Sequence, residues 1–393
     1  MKILYIAAGI PVPGVLGGST HAYEVARGLA LRGHEVELVA ASREGWAGLA
    51  PFARPVSTRL DGFGLHHFDL PKALTLVATG PLLRLARALR PTVIIERYYN
   101  FAGAGLLAAH QLNIPALLEV NALIVDPPEV TKRRLDDALG GPMRRWAAWQ
   151  CHAAAAIVTP LHTTVPACIP REKIVELPWG ADVERFAAVA AQRQAQTQPA
   201  GVPNVVFMGS FRAWHGVTDF VYAALLLLKQ GRRVRFTLIG TGPEQAAAQA
   251  LAADYASHFT FTGAVPYAAI PALLAEAQLG VAPFNTASHP ALRAAGFFWS
   301  PLKIYEYMAA GLPVVTSAIP PLDTVIRDGQ EGRLFTEGHV SALADAIAYL
   351  LDHPERARAY GQAARERVVA HYSWQQHCAA LEEVLRGIAD CRL

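Results

Sequence analysis

Short, almost uninterrupted apolar runs alternate with amphipathic segments along most of the chain. The runs at 2–8, 35–40, 92–96 and 116–120 have the length and the β-branched content of buried strands, and 19–32 places its apolar residues on one helical face. Buried strands separated by helices are typical of a parallel sheet that is covered on both faces. The pattern therefore predicts an α/β fold.

The alternation stops at 188–203, which is rich in Ala and Gln and contains no Leu, Ile or aromatic residue. We predict an N-terminal domain over 1–187, a linker over 188–203, a C-terminal domain over 204–370 and a final helix over 371–393. The two domains are expected to be Rossmann-like and to face each other across a cleft, with ligands beyond the carboxyl ends of the strands. Strands of the second domain are predicted at 204–208, 235–239, 259–262, 280–283 and 314–317.

The composition narrows the class of protein. Of the 393 residues, 52% are hydrophobic and 17% are charged, which excludes a disordered chain or a coiled coil. The formal net charge is +3, from 35 basic and 32 acidic residues. This balance is too weak to indicate a nucleic-acid-binding protein, which needs a concentrated basic face.

The cysteines and the apolar runs indicate in which cellular compartment the protein is expected. Cys151, Cys168, Cys378 and Cys391 form no CxxC pair and no zinc-type spacing, so we expect thiols in a reducing environment. The apolar start of the chain ends in Pro and Gly residues, which fits a buried strand better than a signal peptide. The longest later runs fall short of the roughly 20 residues that cross a bilayer. A cytoplasmic location is predicted.

Glycine-containing loops follow several predicted strands. Gly17 and Gly18 lie between the first strand and the first helix, where a phosphate can approach the backbone, although a plain tight turn would look the same. The second domain contains NVVFMGSFRAWHG (204–216), VRFTLIGTG (234–242) and FTGAVPY (261–267). These loops are candidate ligand contacts because they follow strand ends.

A helix with charged residues is predicted within SPLKIYEYMAAGLPVV (300–315). The Ser-Pro pair favours a helix start, and Lys303 and Glu306 are three residues apart, so they share one face. A lysine beside a glutamate suits a ligand with phosphate and hydroxyl groups. A solvated surface ion pair would show the same spacing.

Together these segments resemble the C-terminal half of retaining glycosyltransferase family 4, whose members have the GT-B fold. The resemblance also includes LALRGHEVELV (29–39), LPWGADVERF (177–186) and HYSWQQHCAALEEVL (371–385), and so covers nearly the whole chain. It implies a nucleotide-diphosphate sugar as donor and a final helix that packs on the first domain.

The resemblance implies that the second domain binds the donor. Glu306 corresponds to the family's second conserved glutamate, which binds ribose hydroxyls, and Val265 and Pro266 lie in the turn that recognises the base. Arg212 and Lys303 are predicted as catalytic residues that stabilise the leaving diphosphate. The predicted donor-binding residues are Gly17, Gly18, Ser210, Arg212, His215, Gly240, Val265, Pro266, Ser300, Pro301, Leu302, Lys303 and Glu306.

The chain departs from the family pattern at several positions. Ser210 and His215 stand where the family's phosphate motif usually has arginine and lysine, so Arg212 is expected to supply the missing charge. Phe298 occupies the position of the first conserved glutamate, and Trp179 that of a usual asparagine. These departures bear on how the donor sugar is recognised.

Acceptor-side residues are predicted in the first domain. IERYYN (95–100) and LLEVNA (117–122) end two strands and resemble the corresponding family segments, which implicates Arg97, Glu119 and Asn121. His21, on the first helix, is a further acceptor-side candidate, and Glu119 is also predicted to be catalytic. Each of these side chains could equally serve as a structural hydrogen-bonding group at a strand end.

The predicted reaction is glycosyl transfer with retention, from a nucleotide-diphosphate sugar to a sugar, lipid-linked or small-molecule acceptor. No DxD pair occurs, so no metal and no further cofactor are expected. A nucleotide-sugar-binding pseudoenzyme and a nucleotide-sugar epimerase remain alternatives. The basic segment 131–145, followed by Trp146 and Trp149, could contact a membrane surface or form a solvated helix–loop segment.

Overall fold

The computed structural model describes residues 1–14, 17–42, 56–70, 72–195 and 201–390. The strands are β1 (Lys2–Pro11), β2 (Glu35–Ala41), β3 (Val56–Leu60), β4 (Phe63–His67), β5 (Val93–Arg97), β6 (Ala116–Glu119), β7 (Ala156–Thr159), β8 (Ile174–Glu176), β9 (Asn204–Met208), β10 (Arg235–Ile239), β11 (Phe259–Gly263), β12 (Leu279–Ala282), β13 (Val314–Ser317) and β14 (Gly332–Phe335). The α-helices are α1 (Gly17–Leu31), α2 (Thr79–Leu89), α3 (Ala104–Leu112), α4 (Thr131–Ala138), α5 (Pro142–Ala153), α6 (Ala187–Ala195), α7 (Val217–Lys229), α8 (Gln245–Leu251), α9 (Ile270–Ala275), α10 (Pro290–Ala295), α11 (Leu302–Ala309), α12 (Leu322–Val325), α13 (Val340–Asp352), α14 (Pro354–His371) and α15 (Trp374–Asp390).

Unit 1 contains residues 1–179 and 298–300 and the chain from Trp374 onward. Its sheet has the order β3-β4-β2-β1-β5-β6-β7-β8. Neighbouring strands are parallel except β3 and β4, which form an antiparallel hairpin. Most residues of the inner strands are buried, which explains their nearly continuous apolar sequence.

Unit 2 contains residues 180–297 and 301–373. Its sheet is parallel throughout, in the order β11-β10-β9-β12-β13-β14. Val205 and Phe207 of β9 belong to one buried cluster with Phe220 and Leu227 of α7 and Ile347 of α13. Both units are therefore α/β with mainly parallel sheets, which confirms the predicted fold class.

The C-terminal helix α15 belongs to unit 1, as predicted, and packs against α1. A Cβ on Gly28 would lie only 2.4 Å from the Sγ of Cys378, so the absence of a side chain allows the two helices to approach closely. An ion pair between Arg32 and Glu382 joins the same helices. The end of the chain thus completes the helical layer over one face of this sheet.

The segment predicted as a linker begins with a helix instead. Residues 187–195 form α6, in which Val189 and Ala190 are buried and Arg193 donates to the carbonyl oxygen of Leu274. The Ala and Gln residues that indicated a linker are also good helix formers, which explains the difference. Residues 196–200 lie outside the described part of the chain.

The cysteines of the described residues are unpaired thiols. Cys151 and Cys378 are buried, and Cys168 is exposed. Cys391 lies outside the described residues. Burial raises the pKa of both the Cys151 and the Cys378 thiol to about 12, so these two side chains behave as small apolar groups.

Candidate functional site

In unit 2 the loops after β9 and β10 touch through glycine residues. Gly209, with φ +136°, donates its N–H to the carbonyl oxygen that ends β10, over 2.9 Å. A Cβ on Gly240 would lie 2.0 Å from the Gly209 carbonyl oxygen, and one on Gly242 2.6 Å from that of Phe211. Larger residues cannot occupy these positions. The two loops therefore expose backbone at the carboxyl end of the sheet, where ligands of parallel sheets bind.

Helix α11 places the Lys303 side chain against this loop. The side chain is 7% exposed, and its ammonium lies 3.2 Å from the Nδ1 of His215 and 4.3 and 4.8 Å from the ring centres of Phe207 and Phe284. It forms no ion pair with any described residue. Burial lowers the pKa of Lys303 to about 7, although the charge of Glu306 acts in the opposite direction.

His215 and Arg212 complete the loop. Burial, followed by the charges of Lys303 and Arg212, lowers the pKa of His215 far below its ordinary value, so the ring is neutral and its Nδ1 can accept from Lys303. Arg212 is exposed, and its guanidinium forms no hydrogen bond or ion pair with the described residues. The loop therefore combines a buried cation and an exposed cation, neither of which forms an ion pair in the described part of the chain.

The other predicted donor residues divide between the two units. Ser210 is half-buried beside Gly209, and Glu306 is buried on α11. Val265 is half-buried and Pro266 exposed after β11, at the same end of the sheet. The residues that unit 2 contains are Ser210, Arg212, His215, Gly240, Val265, Pro266, Pro301, Leu302, Lys303 and Glu306. Gly17, Gly18 and Ser300 belong to unit 1.

In unit 1 the predicted acceptor residues form one hydrogen-bonded network around Glu119. One carboxylate oxygen accepts from the Arg97 guanidinium at 3.0 Å and from the Asn121 amide, and the other accepts from the Tyr5 hydroxyl at 2.6 Å. Burial lowers the pKa of Arg97, but the charge of Glu119 and smaller contributions from Tyr99 and Tyr5 together outweigh burial, so the net change is upward. Glu119 is therefore a fully satisfied, buried carboxylate.

His21 joins this network through Arg97. The Arg97 guanidinium donates to the His21 Nδ1 over 2.8 Å, so the ring proton is on Nε2, which has no partner among the described residues. Burial and the charge of Arg97 lower the pKa of His21 well below its ordinary value. Trp179 lies 4.4 Å from the His21 ring and donates its indole N–H to Asn121 over 2.8 Å.

Two family models match the chain. One, described as Glycosyltransferase Family 4, covers residues 15–185, and the other, Glycosyl transferases group 1, covers residues 202–353. The chain belongs to the GT-B glycosyltransferases of the family 4 type. The first match lies mainly on unit 1 and the second lies mainly on unit 2.

Named relatives are glycosyltransferases too. A GDP-mannose-dependent alpha-(1-6)-phosphatidylinositol monomannoside mannosyltransferase of Mycolicibacterium smegmatis is 29% identical over 230 residues, which are 57% of this chain and 59% of that protein. The match thus spans less than two thirds of the relative's length. Among solved structures, sucrose-phosphate synthase from Thermosynechococcus elongatus has a TM-score of 0.73 at 18% identity, covering 99% of both chains. HepE of Anabaena in complex with UDP has a TM-score of 0.71 at 17% identity, covering 98% of this chain and 100% of that one.

The departures from the family pattern have structural partners. Phe298, at the position of a family glutamate, is 2% exposed and its ring lies 4.6 Å from that of Trp299. Trp179, at the position of a family asparagine, donates its backbone N–H to the Ser300 hydroxyl over 3.0 Å. In this chain both positions therefore contribute packing and hydrogen-bond donation to unit 1.

Sequence reasoning missed the residues that enclose both sites. Phe207 and Phe284 form the aromatic wall around Lys303, and Tyr5 holds Glu119. His377 and Trp374 of α15 lie 5.5 and 5.4 Å from the His21 ring. The one available signal was Tyr5, a hydroxyl in an otherwise apolar buried strand, because such a group needs a partner.

The basic segment 131–145 forms α4 and the start of α5. Three of its five basic side chains form ion pairs: Arg133 with Asp137 at 3.0 Å, Arg144 with Asp136 at 3.1 Å, and Lys132 with Asp126. In the described part of the chain no helix is both long and apolar enough to cross a bilayer. Contact with a membrane surface stays a prediction.

Proposed function

We propose that this protein transfers a glycosyl group, with retention of configuration, from a nucleotide-diphosphate sugar to an acceptor. The observation that carries the proposal is a pair of cations, Lys303 and Arg212, that form no ion pair among the described residues and lie at the glycine-shaped loop of unit 2. Family membership supports it, as do the relative named as GDP-mannose-dependent and the neighbour solved with UDP.

The electrostatics of the loop suit a diphosphate. A buried ammonium that forms no ion pair is costly, and an anionic ligand that reaches it offsets this cost. The exposed Arg212 guanidinium can bind a second phosphate oxygen through two parallel N–H groups. As the glycosidic bond breaks, the leaving diphosphate gains negative charge, so both cations bind the transition state more strongly than the substrate.

We further propose that these groups make a bound metal unnecessary. Lys303 and Arg212 supply the positive charge that a divalent cation would otherwise provide. Activity should therefore be equal in EDTA and in added Mg²⁺ or Mn²⁺. A strict requirement for either cation would contradict this part of the proposal.

Acceptor recognition is assigned to unit 1. Asn121 and Trp179 are half-buried and hydrogen-bonded to each other, so a partly exposed polar surface lies over the fully buried Arg97–Glu119 pair. Asn121 is the member of this network that an acceptor hydroxyl can reach. Glu119 and Arg97 hold it in position, so we assign them a supporting role beneath the surface.

Calorimetric titration with a panel of nucleotide sugars, including UDP-glucose and GDP-mannose, tests donor binding. Each lost charge-assisted contact should cost about 1.5–3 kcal/mol, or roughly 10- to 100-fold in affinity, in Arg212→Ala and Lys303→Ala. Arg235→Ala is the matched control, because Arg235 is an exposed arginine at the opposite end of the same sheet. Full affinity in both site variants would remove the diphosphate assignment.

A nucleotide-sugar-binding protein without transferase activity is the second candidate. The buried Phe298, where the family has a glutamate, favours it because one group that contacts the donor sugar in relatives is missing. Slow hydrolysis of the bound donor distinguishes the two, since a transferase releases free sugar when no acceptor is present. NMR of the released or transferred sugar then shows whether its configuration is retained.

A further inference from the structure

The β3–β4 hairpin of unit 1 holds a serine, a histidine and a glutamate in one hydrogen-bonded line. Ser57 on β3 faces His66 on β4, and the Ser57 Oγ lies 2.8 Å from the His66 Nδ1. The His66 Nε2 lies 2.6 Å from a carboxylate oxygen of Glu37 on β2. These three residues lie outside the predicted donor and acceptor residues.

The direction of the hydrogen bonds follows from the carboxylate. Because an ionised carboxylate only accepts, the His66 Nε2 carries the proton and its Nδ1 is the acceptor for the Ser57 hydroxyl. Glu37 thereby fixes the tautomer in which the imidazole can take a proton from Ser57. Ser57, His66 and Glu37 thus have the roles of nucleophile, base and orienting acid in a catalytic triad, and these roles do not depend on which ring nitrogen faces the nucleophile.

The surroundings separate these roles. Ser57 is exposed, whereas His66 and Glu37 are 7% and 9% exposed. Gly64 allows the carboxylate to lie against β4, since a Cβ at this position would be 1.9 Å from the Glu37 oxygen. The buried pair is screened from water, and the hydroxyl it contacts is at the surface.

The strand register provides a further donor. β3 and β4 are joined by two residues, so paired positions alternate from the Leu60–Phe63 pair next to the turn. By this alternation Ser57 and His66 form a non-hydrogen-bonded pair, in which the side chains are closest and the Ser57 backbone N–H points away from β4. Among the described strands β3 pairs only with β4, so this N–H can donate to an oxyanion formed at Ser57.

We propose that Ser57, His66 and Glu37 form an acyl-transfer site for small carboxylic esters, separate from glycosyl transfer. Ser57 Oγ bonds to the ester carbonyl carbon while its proton passes to the His66 Nδ1. The ester C–O bond then breaks, and the leaving alkoxide takes that proton. Water attacks the acyl-serine by the same route, which releases a carboxylic acid and restores the hydroxyl.

Labelling of the full chain with a fluorophosphonate probe, followed by peptide mass spectrometry, tests the site. We expect labelling at Ser57, none in Ser57→Ala, and a rate lower by about 100-fold in His66→Gly, the range typical of a lost general base. Ser42 is the internal control, because its hydroxyl donates to the carboxylate of Asp69 without an imidazole. Hydrolysis of p-nitrophenyl acetate should follow the labelling.

Chemical rescue distinguishes a general-base role of His66 from a purely structural one. Free imidazole should restore labelling of His66→Gly, and Glu37→Asp should retain more labelling than Glu37→Gln. Nucleotide-sugar binding should be unchanged in Ser57→Ala, so failure here and failure of the proposed function are independent. Labelling of Ser57 no faster than that of Ser42, or equal rates in wild type and His66→Gly, would overturn the proposal.

Discussion

Replacing Lys303 by Met removes a buried ammonium and keeps an unbranched side chain in the same space. The pKa of Lys303 is lowered from 10.5 to about 7 by burial. At about 1.4 kcal/mol per pKa unit, the folded protein is about 5 kcal/mol less stable than it would be with the neutral side chain. Loss of the contacts with Phe207 and Phe284 subtracts up to about 2 kcal/mol. We therefore expect Lys303→Met to stabilise the ligand-free protein by about 3 kcal/mol.

The pH dependence gives this prediction a signature. The pKa of Lys303 is lower in the folded protein than in the unfolded chain. The loss of stability caused by burying the ammonium is therefore complete below the pKa of the folded protein, and it disappears as the pH rises towards the pKa of the unfolded chain. The advantage of the Lys303→Met variant should thus fall by about 3 kcal/mol between about pH 6.5 and about pH 9.5. Ordinary changes in packing would not vary with pH in this way.

Urea unfolding followed by circular dichroism at both pH values measures the effect. The comparison uses the shift of the unit 2 transition between two proteins that differ at one side chain. Lys229→Met is the control, because Lys229 is an exposed lysine at the end of α7 and should change stability by less than about 0.5 kcal/mol. A Lys303→Met variant that is less stable than wild type at the lower pH, or a gain that is the same at both, would refute the reasoning.

Three further results are expected. A nucleotide sugar should bind about tenfold more tightly near pH 6 than near pH 8, because Lys303, with a pKa of about 7, loses its proton between these pH values whereas the diphosphate keeps its charge. Titration calorimetry should show that the affinity of Lys303→Met does not depend on pH in this way. Gly240→Ala places a Cβ 2.0 Å from the Gly209 carbonyl oxygen, so the donor affinity measured by titration calorimetry should fall at least tenfold. An unchanged affinity would show that the contact between the two loops is not needed for donor binding. Glu119→Gln leaves the Arg97 charge unbalanced and should lower the stability of unit 1 by about 3 kcal/mol in calorimetric melting, whereas an unchanged melting temperature would show that the pair is not needed.

The pattern of apolar runs predicted β1, β2, β5, β6 and β9 to β13, but it missed β7, β8, β14 and the β3–β4 hairpin. The hairpin shows why a strand is missed. Its outer strand is exposed along most of its length, so it lacks the continuous apolar run that marks β1 or β9. A signal was present in Asp61 and Gly62, a pair that favours a two-residue hairpin turn. A search for apolar runs alone therefore overlooks this hairpin, and with it Ser57 on β3 and His66 on β4.

The candidate donor loop could be located from the sequence, but its electrostatics could not. Motif order placed Arg212 and Lys303 correctly on a loop and a helix start at one end of a sheet. The low pKa of Lys303, however, depends on Phe207 and Phe284, which lie far apart in the chain and meet only in the folded unit. Spacing predicts which residues share a helix face, whereas burial depends on contacts between distant segments.

The hydrogen-bonded network around Glu119 and the loop around Lys303 differ in whether a ligand can bind their charged group directly. Glu119 has a donor on each oxygen and a buried cation beside it, so a ligand would have to break existing contacts to reach it. Burial of the Lys303 ammonium is energetically costly, and among the described residues no acidic side chain lies within ion-pair distance to offset that cost. Natural sequences retain such a cost where a ligand offsets it. On this argument the predicted catalytic role fits Lys303, whereas Glu119 positions Asn121, the group that we propose as the acceptor contact of unit 1.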